Sequence, residues 1–264
     1  MSTVVSNLRF AWYYVRANLS MAMEYRGSFL TQVFGMVLNN TLWAVFWWLF
    51  FQNFPRIEGW SYSELLLLYA VVAIGFALAL GLMGNCNSIS RIIAEGHLDF
   101  YLAQPKPVLL HILVSRMDVS AWGDLVFGVL VYGISGAVSW YNTLLLITAS
   151  VLTGAIFVFF GVAVHSISFY IGNSATMAAH LFNALITFAM YPNSMFRGSA
   201  RILLFTVIPA GLITWVPTEI IRLHRIEILL AMAGGAVLLG LVAITLFYRG
   251  LRRYESGNLI SVRV

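Results

Sequence analysis

The sequence predicts an all-α polytopic membrane protein with six transmembrane helices in one domain over residues 1–264. Three observations predict it. Of 264 residues, 61% are hydrophobic and only 9% are charged, against roughly 25% charged in an ordinary soluble domain. The mean hydropathy is +0.87. Apolar runs of about 20 residues, the length that crosses a hydrocarbon core, recur along the chain. A soluble fold of 29.4 kDa could not hide so much apolar surface behind so few charges. The composition therefore argues against a soluble enzyme, a disordered chain and a nucleic-acid-binding domain.

The six runs are 29–51, 65–83, 120–138 (with 109–119 leading into it), 144–164, 175–191 and 226–248. The first starts too late and is too long for a signal peptide, and no small-residue cleavage site follows it. A further run, 202–215, has only 14 residues and contains Pro209 and Gly211. Runs of that length read as re-entrant or interfacial. Charge fixes the orientation. With six spans both termini share one side. That side carries ten bases: Arg9, Arg16, Arg26, Arg91, Lys106, Arg116, Arg249, Arg252, Arg253 and Arg263. The other carries five: Arg56, Arg197, Arg201, Arg222 and Arg225. Lys and Arg favour the cytoplasmic side, so both termini are expected there. A seventh span would send the four C-terminal arginines outside. Trp47, Trp48 and Trp60 flank the first outer loop and Trp140 marks the second, as interfacial tryptophans do. The basic excess is read as orientation in lipid, not as a nucleic-acid surface. Cys86, the one cysteine, is expected to be a structural thiol.

Three segments lie outside the spans. Residues 1–27 read as an amphipathic helix on the cytoplasmic surface. Leu8, Trp12, Val15, Leu19 and Met23 form an apolar stripe, and Arg9, Tyr13, Arg16, Ser20 and Glu24 another face. Residues 84–107 hold a short helix that Asn87 or Ser88 can cap. Ile89, Ile92 and Ile93 share one face, Arg91 and Glu95 can pair on the solvent side, and Gly96 supplies the stop. Leu98, Asp99, Phe100, Tyr101 and Leu102 follow, ended by Pro105 and Pro107. Exposed isoleucines and aromatic residues suit a contact surface, and a loop packed on its own spans suits them equally. Residues 192–225 hold Pro192, Pro209 and Pro217. A broken segment must be buried in protein, sit at the interface or line a wet cavity. With Tyr191 these prolines form a candidate outer gate.

Catalytic chemistry is missing from the sequence. It has no phosphate-binding loop, no Cys or His pair at metal spacing and no nucleophile elbow. The histidines (His97, His111, His165, His180 and His224) are scattered. Arg116 and Asp118 are expected at the cytoplasmic end of span three. Asp124 lies a turn or two deeper and should face protein, towards Arg116. His165 and His180, near the ends of spans four and five, read as structural, with a proton relay the lesser reading. Asn39, Asn40 and Asn183 could line a polar path or bond between helices. Ala231-x-x-x-Gly235 and Ala236-x-x-x-Gly240 permit close helix packing.

In its order of segments the chain resembles the permease subunit of a type-2 ABC transporter, in the bacterial branch encoded beside a separate ATPase. The matching features are the surface helix, six spans and a pattern after span two: Ile93, Gly96, Leu98, Asp99, Leu102 and Pro105. The broken outer segment, with Tyr191-Pro192, Ile208-Pro209 and Trp215-Val216-Pro217, also matches. The resemblance implies an exporter subunit in the bacterial inner membrane, moving a lipid, glycan, peptide or drug-like substrate. It implies two ATPase subunits that carry ATP and Mg, and a second permease, identical or related. It makes 84–107 the coupling loop, with Ile89, Arg91, Ile92, Ile93, Glu95, Gly96, Leu98 and Asp99 at the ATPase contact. An ion-coupled secondary transporter and a polytopic membrane enzyme are the rival readings. The first would need an internal repeat and midplane charges, the second a convergent polar site.

Overall fold

The computed structural model describes residues 3–57, 59–191, 195–223 and 226–255. In chain order its helices are α1 (Thr3–Glu24), α2 (Arg26–Asn53), α3 (Tyr62–Met83), α4 (Ile89–Ala94), α5 (Leu98–Leu102), α6 (Val108–Val114) and α7 (Ala121–Ile134). Then follow α8 (Trp140–His165), α9 (Ser168–Ile171), α10 (Ala175–Ala189), α11 (Ser199–Thr206), α12 (Ala210–Leu223) and α13 (Ile226–Leu251). A single 3-10 turn, Gly84–Asn87, links α3 to α4. No strand occurs among the described residues.

α3 is the centre. Its sequence is apolar on every side, and the helix is buried on nearly every side, against α7, α8 and α12. Ser61 starts it with a capping box, its side chain accepting from the Glu64 N–H while Glu64 accepts from the Ser61 N–H. Close approach to α8 depends on two glycines. A β-carbon at Gly75 would meet Thr153 Cγ2 at 2.5 Å, and one at Gly154 would meet the Gly75 carbonyl at 2.9 Å. Small residues let helix backbones meet in lipid, where packing rather than water release drives association.

The outer helices bury only one stripe each. On α2 the buried positions are Asn40, Ala44, Trp47 and Phe51, spaced by three or four residues. On α13 they are Met232, Ala236, Gly240, Ala243, Phe247 and Gly250. Of the two small-residue pairs on α13, Ala236 and Gly240 lie on this stripe, while Ala231 is exposed. The remaining faces stay apolar and exposed, with Leu30, Phe34, Leu38 and Leu42 on α2 and Leu230, Val237, Leu238 and Leu241 on α13. Exposed threonines on such faces bond their own helix. Thr41 Oγ1 donates to the Val37 carbonyl at 2.7 Å, and Thr148 Oγ1 to the Leu144 carbonyl at 2.8 Å. An apolar exterior with its polar atoms satisfied internally is that of a membrane-embedded chain.

Four helical stretches are long and apolar enough to cross a bilayer: Arg26–Asn53, Tyr62–Ala94, Trp140–Ile171 and Glu227–Leu251. The other two expected spans are shorter apolar helices. α7 has 14 residues, roughly 21 Å at 1.5 Å per residue, where residues 120–138 were expected to be helical. It stops at Ser135, whose Oγ donates to the Tyr132 carbonyl at 2.7 Å, and Gly136 then turns the chain at φ +77°. At its other end residues 115–120 are irregular, and their backbone bonds to α3. The Gly84 N–H donates to the Arg116 carbonyl at 2.9 Å, and the Asp118 N–H to the Leu80 carbonyl at 3.0 Å. α8 starts at Trp140 rather than 144 because Ser139 caps it, accepting from the Asn142 N–H at 3.1 Å.

The glycine contact yields a stability test. Gly154→Leu should destabilise the fold by about 1–3 kcal/mol, through overpacking against α3. Gly234→Leu, where an added β-carbon meets nothing within 4 Å, should be neutral or stabilising. Thermal unfolding in detergent compares the two, and equal melting temperatures would contradict the packing account.

Candidate functional site

A cavity of about 200 Å³ opens where α2, α3, α7, α8 and α10 converge. Its walls are mostly aromatic and aliphatic, including Trp43, Tyr69, Phe76, Phe127 and Phe157. Asn39, Asn40 and Asp124 interrupt them. Asn40 on α2 donates through Nδ2 to Asp124 Oδ1 at 2.6 Å. Asp124 is 6% exposed and Asn40 9%. The second oxygen, Oδ2, is buried without a hydrogen-bond partner. A buried carboxyl oxygen left without a partner is costly. Asp124 faces protein as expected, but its partner is Asn40 and not Arg116. Arg116 is exposed at the far end of α3, where its carbonyl receives Gly84. Asn39 also lines the cavity, while Asn183 is exposed and does not. One turn beyond Trp43, Trp47 meets Tyr191 edge to face, with ring centroids 6.1 Å apart. That places Tyr191 beside the cavity, next to its lining residue Met190.

At the α3 C-terminus the 84–107 segment folds back onto the bundle. The expectation of exposed isoleucines is corrected here. Ile89, Ile92 and Ile93 are 0%, 8% and 5% exposed, and Leu98 is 0% exposed. They pack inward because α4 is a single short helix lodged against α8, α9 and α10, and its apolar face has that core beside it. Ser90 Oγ and His165 Nδ1 meet at 2.7 Å across this contact. His165 is thus a buried anchor, whereas His180 is exposed. Asn85 Nδ2 donates to the Ile112 carbonyl at 3.1 Å and to Ser115 Oγ at 2.8 Å. Ser88 occupies the N-cap position, but its side chain makes no capping bond. Gly96 ends the turn at φ +72°, a backbone region glycine enters without steric cost. Arg91 and Glu95 do not pair. α4 ends at Ala94, so Glu95 leaves the helix and pairs with His97 at 3.2 Å. The outward surface is therefore Arg91, Glu95, His97, Asp99 and Phe100. Burial, and the Asp99 carboxylate beside it, push the Tyr254 hydroxyl up to about 12.

α1 docks on the same region. Tyr14 OH and His111 Nε2 meet at 2.8 Å, and Asn18 Nδ2 donates to the Val114 carbonyl at 3.0 Å. Lys106 Nζ donates to Ser6 Oγ at 2.8 Å. Burial holds the His111 ring below the usual imidazole range. Leu8, Trp12 and Met23, from the predicted apolar stripe, remain exposed on the far side.

The broken segment is a hairpin. α11 leads to a turn at 207–209, and α12 returns, packed on α3, α8, α10 and α13. The turn shares a cavity with Phe160, Leu239 and Val242, so its tip reaches the middle of α13. Gly235 faces Leu212 on the way. Of the outer-gate candidates, Pro209 thus sits at the inner tip and Pro217 is buried inside α12. Pro192 lies outside the described residues, as do His224 and Arg225.

The sequence model of one family, described as ABC-2 family transporter protein, matches residues 37–257. The chain belongs to the ABC-2 transporter family. No curated protein and no solved structure matches it. The match runs from mid-α2 to just past α13, so the 84–107 loop, the hairpin and every cavity-lining residue except Met36 lie within the ABC-2 region. The chain is a permease subunit of an ABC transporter. Among the described residues no group of three His, Cys, Asp or Glu side chains could hold a metal ion.

The docking of α1 can be tested directly. Each lost hydrogen bond weakens a contact by about 1 kcal/mol. Tyr14→Phe combined with Asn18→Ala should therefore speed hydrogen exchange in α1 by roughly tenfold or more, with α3 unchanged. Unaltered exchange in α1 would show that these bonds do not hold it.

Proposed function

We propose that this ABC-2 permease subunit belongs to an ATP-driven exporter and takes its drive from two separate ATPase subunits through residues 84–107. The observation that carries the reading is the construction of that loop in a family member without a phosphate loop. Its apolar side chains are anchored in the chain's own core. Arg91, Glu95, His97, Asp99 and Phe100 are left facing outward on a firm base. A push on such a surface passes to α8, α9 and α10 through α4, since interdigitated side chains transmit displacement. ATP and Mg are bound by the ATPases. A second permease, identical or related, completes the pore, and the exposed apolar face of α2 supplies surface for it or for lipid. Six spans with both termini cytoplasmic, in a bacterial inner membrane, follow from the ten-to-five distribution of bases. The short α7 is completed as a crossing by residues 115–120. The cargo belongs to the lipids, glycans, peptides or drug-like molecules.

Two outcomes are expected. The purified chain alone should hydrolyse no ATP, and hydrolysis should appear when the ATPase is added in lipid. Arg91→Glu with Phe100→Asp should then lower ATPase co-purification at least tenfold and leave the melting temperature unchanged, since both side chains point outward. Ile92→Asp should instead lower the melting temperature, because it buries a charge. Full co-purification with the double variant would move the coupling contact elsewhere. Topology is checked by labelling single engineered cysteines, with native Cys86 silent because it is fully buried. Impermeant reagent from outside should modify positions 56 and 197 and spare 91 and 253. Labelling at 253 would refute the six-span arrangement.

A further inference from the structure

We propose that the cavity between α2, α3, α7, α8 and α10 binds a cationic amphiphile, an ammonium group carried on an apolar body. As the substrate class of the exporter, this rests on the permease reading; as a binding site it stands on the cavity alone. The cavity holds about 200 Å³, enough for a small quaternary ammonium head and part of its body. Asp124, more than nine-tenths buried, is the one ionisable acid or base among the lining residues other than Tyr69. Asn40 satisfies Oδ1, and Oδ2 has no partner. Buried carboxylates are ordinarily paired with a cation. No Lys, Arg or His lines this cavity, so the protein supplies no counter-charge there.

The walls supply the second half of the match. Trp43, Phe76, Phe127 and Phe157 line the same cavity as the carboxyl. Aromatic faces attract cations through the ring quadrupole, and quaternary ammonium ligands are bound in such surroundings. They also cover the apolar body. Met36 and Met190, unbranched and adaptable, line the same space and let it accept bodies of different shape. An anion would meet the carboxyl and no positive partner. A neutral hydrocarbon would leave Asp124 as it stands.

The test compares a matched pair of probes, benzyltrimethylammonium and its neutral carbon isostere neopentylbenzene. Equilibrium dialysis is run on the full chain in lipid nanodiscs, with empty nanodiscs subtracted. No ATPase or transport is needed, so failure of the exporter reading does not enter the result. The wild-type chain should bind the cation above the empty-disc level. Asp124→Asn should weaken cation binding at least tenfold and leave the neutral probe within twofold, and Asp124→Glu should retain most of the cation binding. Trp43→Leu, which keeps Asp124 and Asn40 in place, should weaken the cation several-fold more than the neutral probe. It gives the reading if Asp124→Asn does not fold. Cation binding no better than to empty nanodiscs, or equal in the wild type and Asp124→Asn, would overturn the proposal. So would equal losses of both probes in Trp43→Leu, which would show that the ring gives apolar contact and no preference for the cation.

Discussion

In hydrocarbon every backbone N–H and C=O needs a partner inside the protein, and each one left bare costs several kcal/mol. The architecture of this chain follows from that requirement. Its regular parts are helices, which satisfy themselves. Its irregular parts occur where another element can supply the missing bond. The break at 115–120 is tolerable because Leu80 and Gly84 at the end of α3 take up Asp118 and Arg116. The break at 207–209 is tolerable because the Ile208 N–H donates to the Leu203 carbonyl and α12 then returns between neighbouring helices. Even the hydroxyls on exposed faces turn back to their own carbonyls.

Because lipid is as apolar as leucine, burial alone does not drive helices together. Association has to come from close packing and from the few polar bonds between helices. The close packing is concentrated around α3, while the polar bonds tie the surrounding helices to one another. Gly75 and Gly154 bring α3 and α8 to backbone contact. Gly128 of α7 lies against Ala70 and Ile74 of α3. The Asn40–Asp124 bond ties α2 to α7 across 84 residues of sequence. Gly123 of α7 lies against the Val33 backbone and Met36 of α2, so close packing and this bond together hold α2 in register.

The same constraint shapes the loop and the cavity. The 84–107 loop anchors its isoleucines in the core, which leaves Arg91, Glu95, His97, Asp99 and Phe100 facing outward. The cavity keeps a carboxyl where hydrocarbon penalises it, with a single amide partner and an unpartnered oxygen. Both features place polar side chains on a packed apolar base.

Composition and run length by themselves determined that the chain is helical, apolar and membrane-embedded. They also located the N-terminal helix, the loop after the second run, the stop at Gly96 and the proline-broken segment. These are local properties, set by hydropathy and by residues near in sequence. The tertiary structure alone decided which faces are used. Ile89, Ile92 and Ile93 were legible as one face, but a face turned to the bundle and a face turned to a partner have the same periodicity. Asp124 was legible as a buried acid, but Asn40, not Arg116, proved its partner, because that choice depends on how two distant helices meet. The depth of the 207–209 turn followed from packing on α8 and α13. In a soluble protein, polarity tells inside from outside. Here the exposed and buried sides of α2 and α13 are both largely apolar, so the distinction is held mainly in shape, by glycines that admit a neighbour and side chains that fill the space beside it.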